Sequence, residues 1–155
     1  GGEYALRESV CKAHLQSYLR EFPGIQEWHD WVNRRLDSDG FLINPLGRKK
    51  YFYGPPSHAR LRAGVAFLPQ SLVADIITEA MLYLTPILAD IGDTYIALQI
   101  HDALVVETPE EKAEEVAEVV RRGMEMTVPI TDIHGETREL LVPAEAKIGR
   151  NWGEV

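Results

Sequence analysis

The sequence has a single cysteine, Cys11, which excludes an intrachain disulfide framework and a cysteine-rich zinc site. Such sparing use fits a reducing, cytoplasmic setting. No apolar run approaches the roughly 20 residues of a membrane span, so no membrane helix is expected. The first ten residues, GGEYALRESV, hold no apolar signal core. Internal repeats and low-complexity segments are absent. Positive charge is also short: 16 Lys and Arg stand against 24 Asp and Glu, a net charge of −8 that by itself argues against a polyanionic partner.

What is present is less uniform. Residues 1–70 carry a balance of +3, and residues 71–155 a balance of −11. Arg48, Lys49, Lys50, Arg60 and Arg62 concentrate the basic charge. A patch of this kind binds phosphate even on an acidic protein, although a solvated loop is the plainer reading of charge alone. The 155 residues suffice for a single domain, 1–155, with a true core.

Hydrophobic periodicity predicts a helix over 4–21, with Leu6, Val10, Ala13 and Leu15 on one face, and a second over 23–36, burying Ile25, Trp28, Val32 and Leu36. FLINPLGRKKYFYGPP reads as a hairpin with its tip near Pro45–Arg48. A strongly apolar helix is expected from Pro69 to Ile87, kinked or ended by Pro86. Two strands with a tight turn follow over TYIALQI-HD-ALVVE. Thr108, Pro109 and Glu111 then spell a capping box opening a helix that buries Ala113, Val116, Ala117, Val120 and Met124. VPITDIHGE is expected to be a loop and ELLVPAEAKIG a last strand. The fold class is α+β, with a small antiparallel sheet and packed helices.

The stretch LQIHDALVVE places His101 and Asp102 inside an apolar run. A buried carboxylate there would cost several kcal/mol unless solvated, paired or bound to a cation. At a hairpin tip it is affordable in structure and rigidly held, which suits a hard cation such as Mg²⁺. One carboxylate cannot hold two metals for an in-line phosphoryl transfer, so another acid is required. A solvated turn without function is the competing reading of this stretch alone.

LQIHDALVVE resembles motif C of the family A DNA polymerases, the group of bacterial DNA polymerase I and its phage relatives. The resemblance continues in the family's order through YLREFPGIQEWHDWV, DGFLINPLGRKKYF, RAGVAFLPQSLVADIITEAM and KIGRNWGEV, covering nearly all of residues 15–155. It implies an incomplete palm domain. Asp102 would be a catalytic metal ligand and His101 would lie near the primer terminus. Arg62 and Gln70 would face the minor groove of primer–template DNA, where donors test pair shape without reading sequence. Arg48, Lys49 and Lys50 would contact backbone phosphates. The implied cofactor is Mg²⁺, two ions, and the implied small-molecule partner a dNTP. Bacterial or phage-infected cytoplasm is the implied setting.

Three positions depart from the family pattern. Ala103 stands where an acid often follows the motif C aspartate, Ala66 where an asparagine contacts the minor groove, and Ser71 where glycine follows the glutamine. Motif A, the fingers helix and the thumb are not in this sequence. The expectation is a split C-terminal subunit, with an experimental fragment as the alternative, whose N-terminal partner chain supplies those parts.

Two other readings compete. A non-catalytic scaffold could retain the palm fold, as Ala66 and Ala103 suggest. An HD-type metal phosphohydrolase would use His29-Asp30, on a predicted helix, with His14 and His58; but that stretch reads more simply as an amphipathic helix with His29 and Asp30 outside, and the pair at 101–102 is in strand context, wrong for that class. Tyr51 and Tyr53 are expected to pack, with base stacking as the alternative. Asp75 is expected to orient the start of the long helix, and Trp152 to anchor the C-terminus.

Overall fold

A computed structural model describes residues 8–154. The chain divides into two compact units. The first comprises 1–42 and 50–66, the second 43–49 and 67–155.

In the first unit, helix α1 spans Glu8–Glu21 and α2 spans Pro23–Asp39. Proline at the first position of α2 fits, since the amide it lacks would be unpaired there. Gly40 ends the helix in the left-handed region (φ 71°), its N–H bonding Leu36 O at 3.1 Å. Val32, Leu36, Leu42 and Phe52 are buried. Gly64 lies against them: a Cβ there would meet Leu36 Cδ1 at 2.8 Å. Of the expected inward face of α2, Ile25 and Trp28 are only half-buried. No described residue of α1 is buried, so the face expected on Val10, Ala13 and Leu15 has no cover within this unit. Leu6 and the expected first turn lie outside the described residues.

Strands β1 (Phe41–Ile43) and β2 (Lys49–Tyr51) form the expected hairpin. Helix α3 spans His58–Ile91, 34 residues, and corrects the sequence reading at both ends. It starts eleven residues before Pro69 and runs through Pro86 without ending there. An interior proline costs about 3 kcal/mol. Burial along the helix offsets it here, since Phe67, Leu72, Ile76, Ile77, Ala80, Leu84 and Leu88 are all buried. By length and composition alone α3 could cross a membrane, which the short apolar runs of the sequence did not suggest. The core helix of a water-soluble protein passes the same test.

The second unit is built on the later part of α3. Strands β3 (Tyr95–Ile100) and β4 (Ala103–Glu107) pair antiparallel, and α4 spans Ala113–Met124. Leu84 and Leu88 of α3 meet Val116 and Val120 of α4, with Ile96, Leu104 and Val106 of the hairpin around them. Strands β5 (Met126–Thr131) and β6 (Thr137–Val142) form a further antiparallel pair. Val128 of β5 packs on Leu72 and Ile76. The segment VPIT, expected as loop, is therefore strand. Its Pro129 is tolerated because a two-stranded sheet has only edge strands. The fold is α+β as expected, with three separate two-stranded antiparallel sheets among the described residues.

The capping box does not form. A 3₁₀ turn at Glu110–Lys112 precedes α4, and Pro109 occupies the cap without a side-chain bond. The Thr108 hydroxyl is engaged elsewhere, 2.9 Å from that of Thr94.

Candidate active site

The β3–β4 hairpin is aliphatic on the side that faces the Leu84–Val120 cluster, and this fixes its register. Tyr95 pairs with Glu107, Ile96 with Val106, Leu98 with Val105, Gln99 with Leu104 and Ile100 with Ala103. The register shifts between Ile96 and Leu98, a bulge at Ala97; Ile96 packs on the core, whereas Leu98 beyond the bulge is exposed. The two residues left over are His101 and Asp102, a two-residue turn. His101 has φ 53° and Asp102 does not have positive φ. A tight hairpin requires positive φ at the first loop position, where a histidine is more strained than a glycine. Gln99 Nε2 donates to His101 O at 2.5 Å and helps hold the turn.

The base of the hairpin is pinned as well. Besides the Thr94–Thr108 pair, Lys112 Nζ donates to Ile91 O at 2.7 Å and Gly92 O at 3.3 Å, at the C-terminus of α3. A cation there satisfies end carbonyls and the negative end of the helix dipole. Anchored at its base and along one face, the hairpin carries Asp102 at a defined tip. Asp102 is exposed and makes no hydrogen bond or ion pair among the described residues. The cost of an acid within an apolar run thus disappears, because the two polar residues are the turn itself.

Asp102 offers hard carboxylate oxygens, the right donor for Mg²⁺. Among the described residues no group of three or more His, Cys, Asp or Glu could hold a metal. The donor chemistry fits one ligand of a shared site and no more.

The basic hairpin tip, 43–49, belongs to the second unit for a physical reason. Asn44, only 3% exposed, donates through Nδ2 to Ser71 Oγ (3.1 Å) and Asp75 Oδ2 (2.6 Å). Its Oδ1 accepts from the N–H groups of Leu46 (3.1 Å) and Arg48 (2.9 Å). The Arg48 guanidinium grips Asp75 Oδ1 through Nη2 and through Nε at 2.7 Å. That pairing holds the Asp75 carboxyl below its ordinary range and raises Arg48 above its own. Asp75 therefore ties a turn to the middle of α3 and does not orient the helix start. Asn44 was not singled out in the sequence, and Ser71 only as a departure from the family pattern. A polar residue in the turn and another inside an apolar helix were the available signals.

Arg62 and Gln70 are exposed on α3 and make no hydrogen bond or ion pair among the described residues. Lys49 and Lys50 are exposed, with Lys50 Nζ 5.3 Å from the Phe52 ring centroid. Arg62 and Lys50 lie in the first unit; Arg48, Lys49, Gln70, His101 and Asp102 lie in the second. The rival pair His29-Asp30 is on α2, where Asp30 accepts from Gln26 at 3.0 Å. The pair at 101–102 is in a hairpin turn, the wrong context for an HD-type hydrolase.

The family model for DNA polymerase family A matches residues 3–154. The chain belongs to DNA polymerase family A. Among curated members of this family, thermostable DNA polymerase I of Thermus aquaticus is 31% identical over 97% of the chain and 18% of its own length. That of Thermus filiformis is 30% identical over 98% of the chain and 18% of its own length. DNA polymerase I of Deinococcus radiodurans is 32% identical over 89% and 14%. Among solved structures, the POL domain of Pol1 from M. smegmatis, in complex with DNA primer-template and dNTP, superposes with a TM-score of 0.71 at 28% identity. That superposition covers 77% of the chain and 22% of the M. smegmatis protein. The chain thus spans about a fifth of the length of these family A relatives. The helices and small antiparallel sheets are those of a partial palm, and the 101–102 turn is its motif C region.

Proposed function

We propose that this chain is the C-terminal palm portion of a DNA-directed DNA polymerase, acting in template-directed addition of dNTPs to a primer 3′-hydroxyl. The observation that carries the reading is the unpaired Asp102 carboxylate at the tip of a core-anchored hairpin. Two bound Mg²⁺ ions would supply activation of the hydroxyl and charge stabilisation at the α-phosphate. Asp102 contributes a fixed negative charge and one set of ligand oxygens to them. His101, strained into the turn, faces the primer terminus.

Arg62 and Gln70 donate to minor-groove acceptors, which purine N3 and pyrimidine O2 present at every Watson–Crick pair. Lys49, Lys50 and Arg48 meet backbone phosphates. Arg48 uses Nε and Nη2 on Asp75, which leaves Nη1 for a phosphate and orients it. The M. smegmatis relative, in complex with primer-template DNA and dNTP, supports this assignment of partners.

The second carboxylate, the fingers and the thumb come from an N-terminal polymerase polypeptide, which is a separate partner chain in this reading. The β3–β4 sheet has two strands, too few for independent stability. It exposes Tyr95 and Leu98, and α3 exposes Leu82 and Tyr83. A docked strand beside the hairpin would cover such surface and an open edge. The setting that follows is the cytoplasm of a bacterial or phage-infected cell.

The test is primer extension by this chain combined with an N-terminal family A polypeptide carrying motif A, fingers and thumb. Asp102→Asn is expected to lower extension by about 10²-fold or more while primer–template binding persists. Full activity of that variant would favour a scaffold role, and robust synthesis by the chain alone would remove the partner requirement.

A further inference from the structure

The polar cluster under the basic hairpin tip has more bonds than a turn needs. Asn44 holds the Arg48 backbone from both directions: Asn44 N donates to Arg48 O at 3.0 Å, and Arg48 N donates to Asn44 Oδ1 at 2.9 Å. Asn44 Nδ2 reaches α3 at Ser71 Oγ and Asp75 Oδ2. These bonds by themselves close the turn and fix it to the helix. The Arg48–Asp75 pair comes in addition, and it uses the other carboxylate oxygen, Oδ1.

The two partners differ in exposure. The Asp75 side chain is 12% exposed and that of Arg48 54%. An ion pair with one member this open to water adds little to stability. What it does fix is a direction. Nε and Nη2 both donate to Oδ1, and the guanidinium is planar, so the pairing restricts the orientation of the whole group. Nη1 is left without a partner among the described residues.

Charge alone gives the opposite expectation. Hydrogen bonds from Arg48 hold the Asp75 carboxyl below its ordinary range, so it is ionised at neutral pH. A carboxylate beside a phosphate-binding cation cancels the cation's charge and repels the phosphate. By that count, removing Asp75 should tighten DNA binding.

We propose that Asp75 is a positioning residue for the DNA contact of Arg48. Anchored by Asn44, its carboxylate aims the guanidinium so that Nη1 meets a backbone phosphate of the primer–template duplex. This rests on the polymerase reading above, which supplies the phosphate. It gives an acid a favourable role at a polyanion-binding surface, where a count of charges makes it a liability.

The test is primer–template affinity, read by fluorescence anisotropy at about 50 and 200 mM KCl, where phosphate contacts show their salt dependence. The chain is combined with the N-terminal polypeptide used for primer extension. The parent is compared with Arg48→Ala, Arg48→Lys, Asp75→Ala and the Arg48→Ala/Asp75→Ala double variant. Arg48→Ala is expected to weaken binding about 10-fold. With one phosphate contact gone, its affinity should also fall about 3-fold less than the parent's between the two salt concentrations. Asp75→Ala should weaken binding to a similar degree although it adds net positive charge. The double variant should be no weaker than Arg48→Ala. If Asp75 only stabilised the turn, its loss would weaken binding again with Arg48 already gone. Arg48→Lys should keep the salt dependence without restoring the affinity, since an ammonium keeps the charge and loses the planar fork. The proposal is overturned if Asp75→Ala binds as tightly as the parent or tighter, if the two single losses multiply in the double variant, or if Arg48→Lys binds as the parent does. Unchanged affinity in Arg48→Ala would remove the phosphate contact itself, and the proposal with it. A weakened Arg48→Ala beside an unchanged Asp75→Ala sinks the positioning role alone and leaves the polymerase reading standing.

Discussion

Replacing Asn44 with alanine should destabilise the second unit by about 2–4 kcal/mol. The side chain makes four hydrogen bonds, and they are not equivalent. The bond to Asp75, at 2.6 Å, has a charged acceptor and is worth about 1.5–3 kcal/mol. The bond to Ser71, at 3.1 Å and buried, is worth about 0.5–1.5 kcal/mol. The two accepted from Leu46 and Arg48 cost less to lose, because those residues are exposed and water can replace Oδ1. Ser71 keeps its bond to Leu68 O, and Asp75 keeps Arg48, so neither is orphaned. The sum corresponds to a roughly 30- to 700-fold change in the opening equilibrium. Hydrogen exchange read by mass spectrometry measures it locally. Peptides covering 43–49 and 71–77 should exchange faster, while those from α2 should not change. Asn44→Asp should be worse than alanine at pH 7, since it sets a carboxylate against Asp75. A double-mutant cycle with Asp75→Ala isolates the pair. A shift below about 0.5 kcal/mol, or unchanged exchange over 43–49, would refute the view that this residue ties the turn to α3.

Two further predictions concern α4. Glu118 is hydrogen-bonded by Arg121 and Arg122, which hold its carboxyl at about 2 against an ordinary 4.5. Its folded pKa is depressed, so its contribution is complete above 4.5 and is lost as pH falls toward about 2. An NMR titration of the Glu118 carboxyl checks this, and a midpoint near 4.5 would contradict it. Gly123→Ala gains about 1 kcal/mol of helix propensity, yet its Cβ would sit 2.4 Å from Leu84 Cδ2. Leu84 is 0% exposed and has nowhere to move, so overpacking of about 1–3 kcal/mol prevails. Urea denaturation should show a lower midpoint, and a higher one would mean that the core yields.

Much of the fold was legible in local pattern. The period of α2 and α4, the hairpin of β1 and β2 and the two strands flanking His101-Asp102 all follow from residue order. The errors share a cause. Pro69 and Pro86 were read as boundaries because local rules make proline a breaker, but burial on α3 outweighs that rule. Thr108 has the spacing of a cap, yet its hydroxyl bonds Thr94, fourteen residues away. VPIT looks like loop until Val128 finds Leu72 and Ile76. In each case a contact made by a residue distant in sequence outweighed the local preference.

The same division holds for function. By itself the sequence determined the family, through five short motifs in series, and singled out one carboxylate, placed between two aliphatic strands, as the candidate acid. Those are properties of residue identity and spacing, which survive any packing. Only the tertiary structure decided that Asp102 stands exposed and unpaired, that Arg48 is already held by Asp75, and that Tyr53, expected to pack, is open to solvent. Pairing and exposure depend on which distant residues arrive beside a side chain: Asp75 reaches Arg48 from 27 residues away. No local pattern carries that information, because folding alone brings those groups within bonding distance.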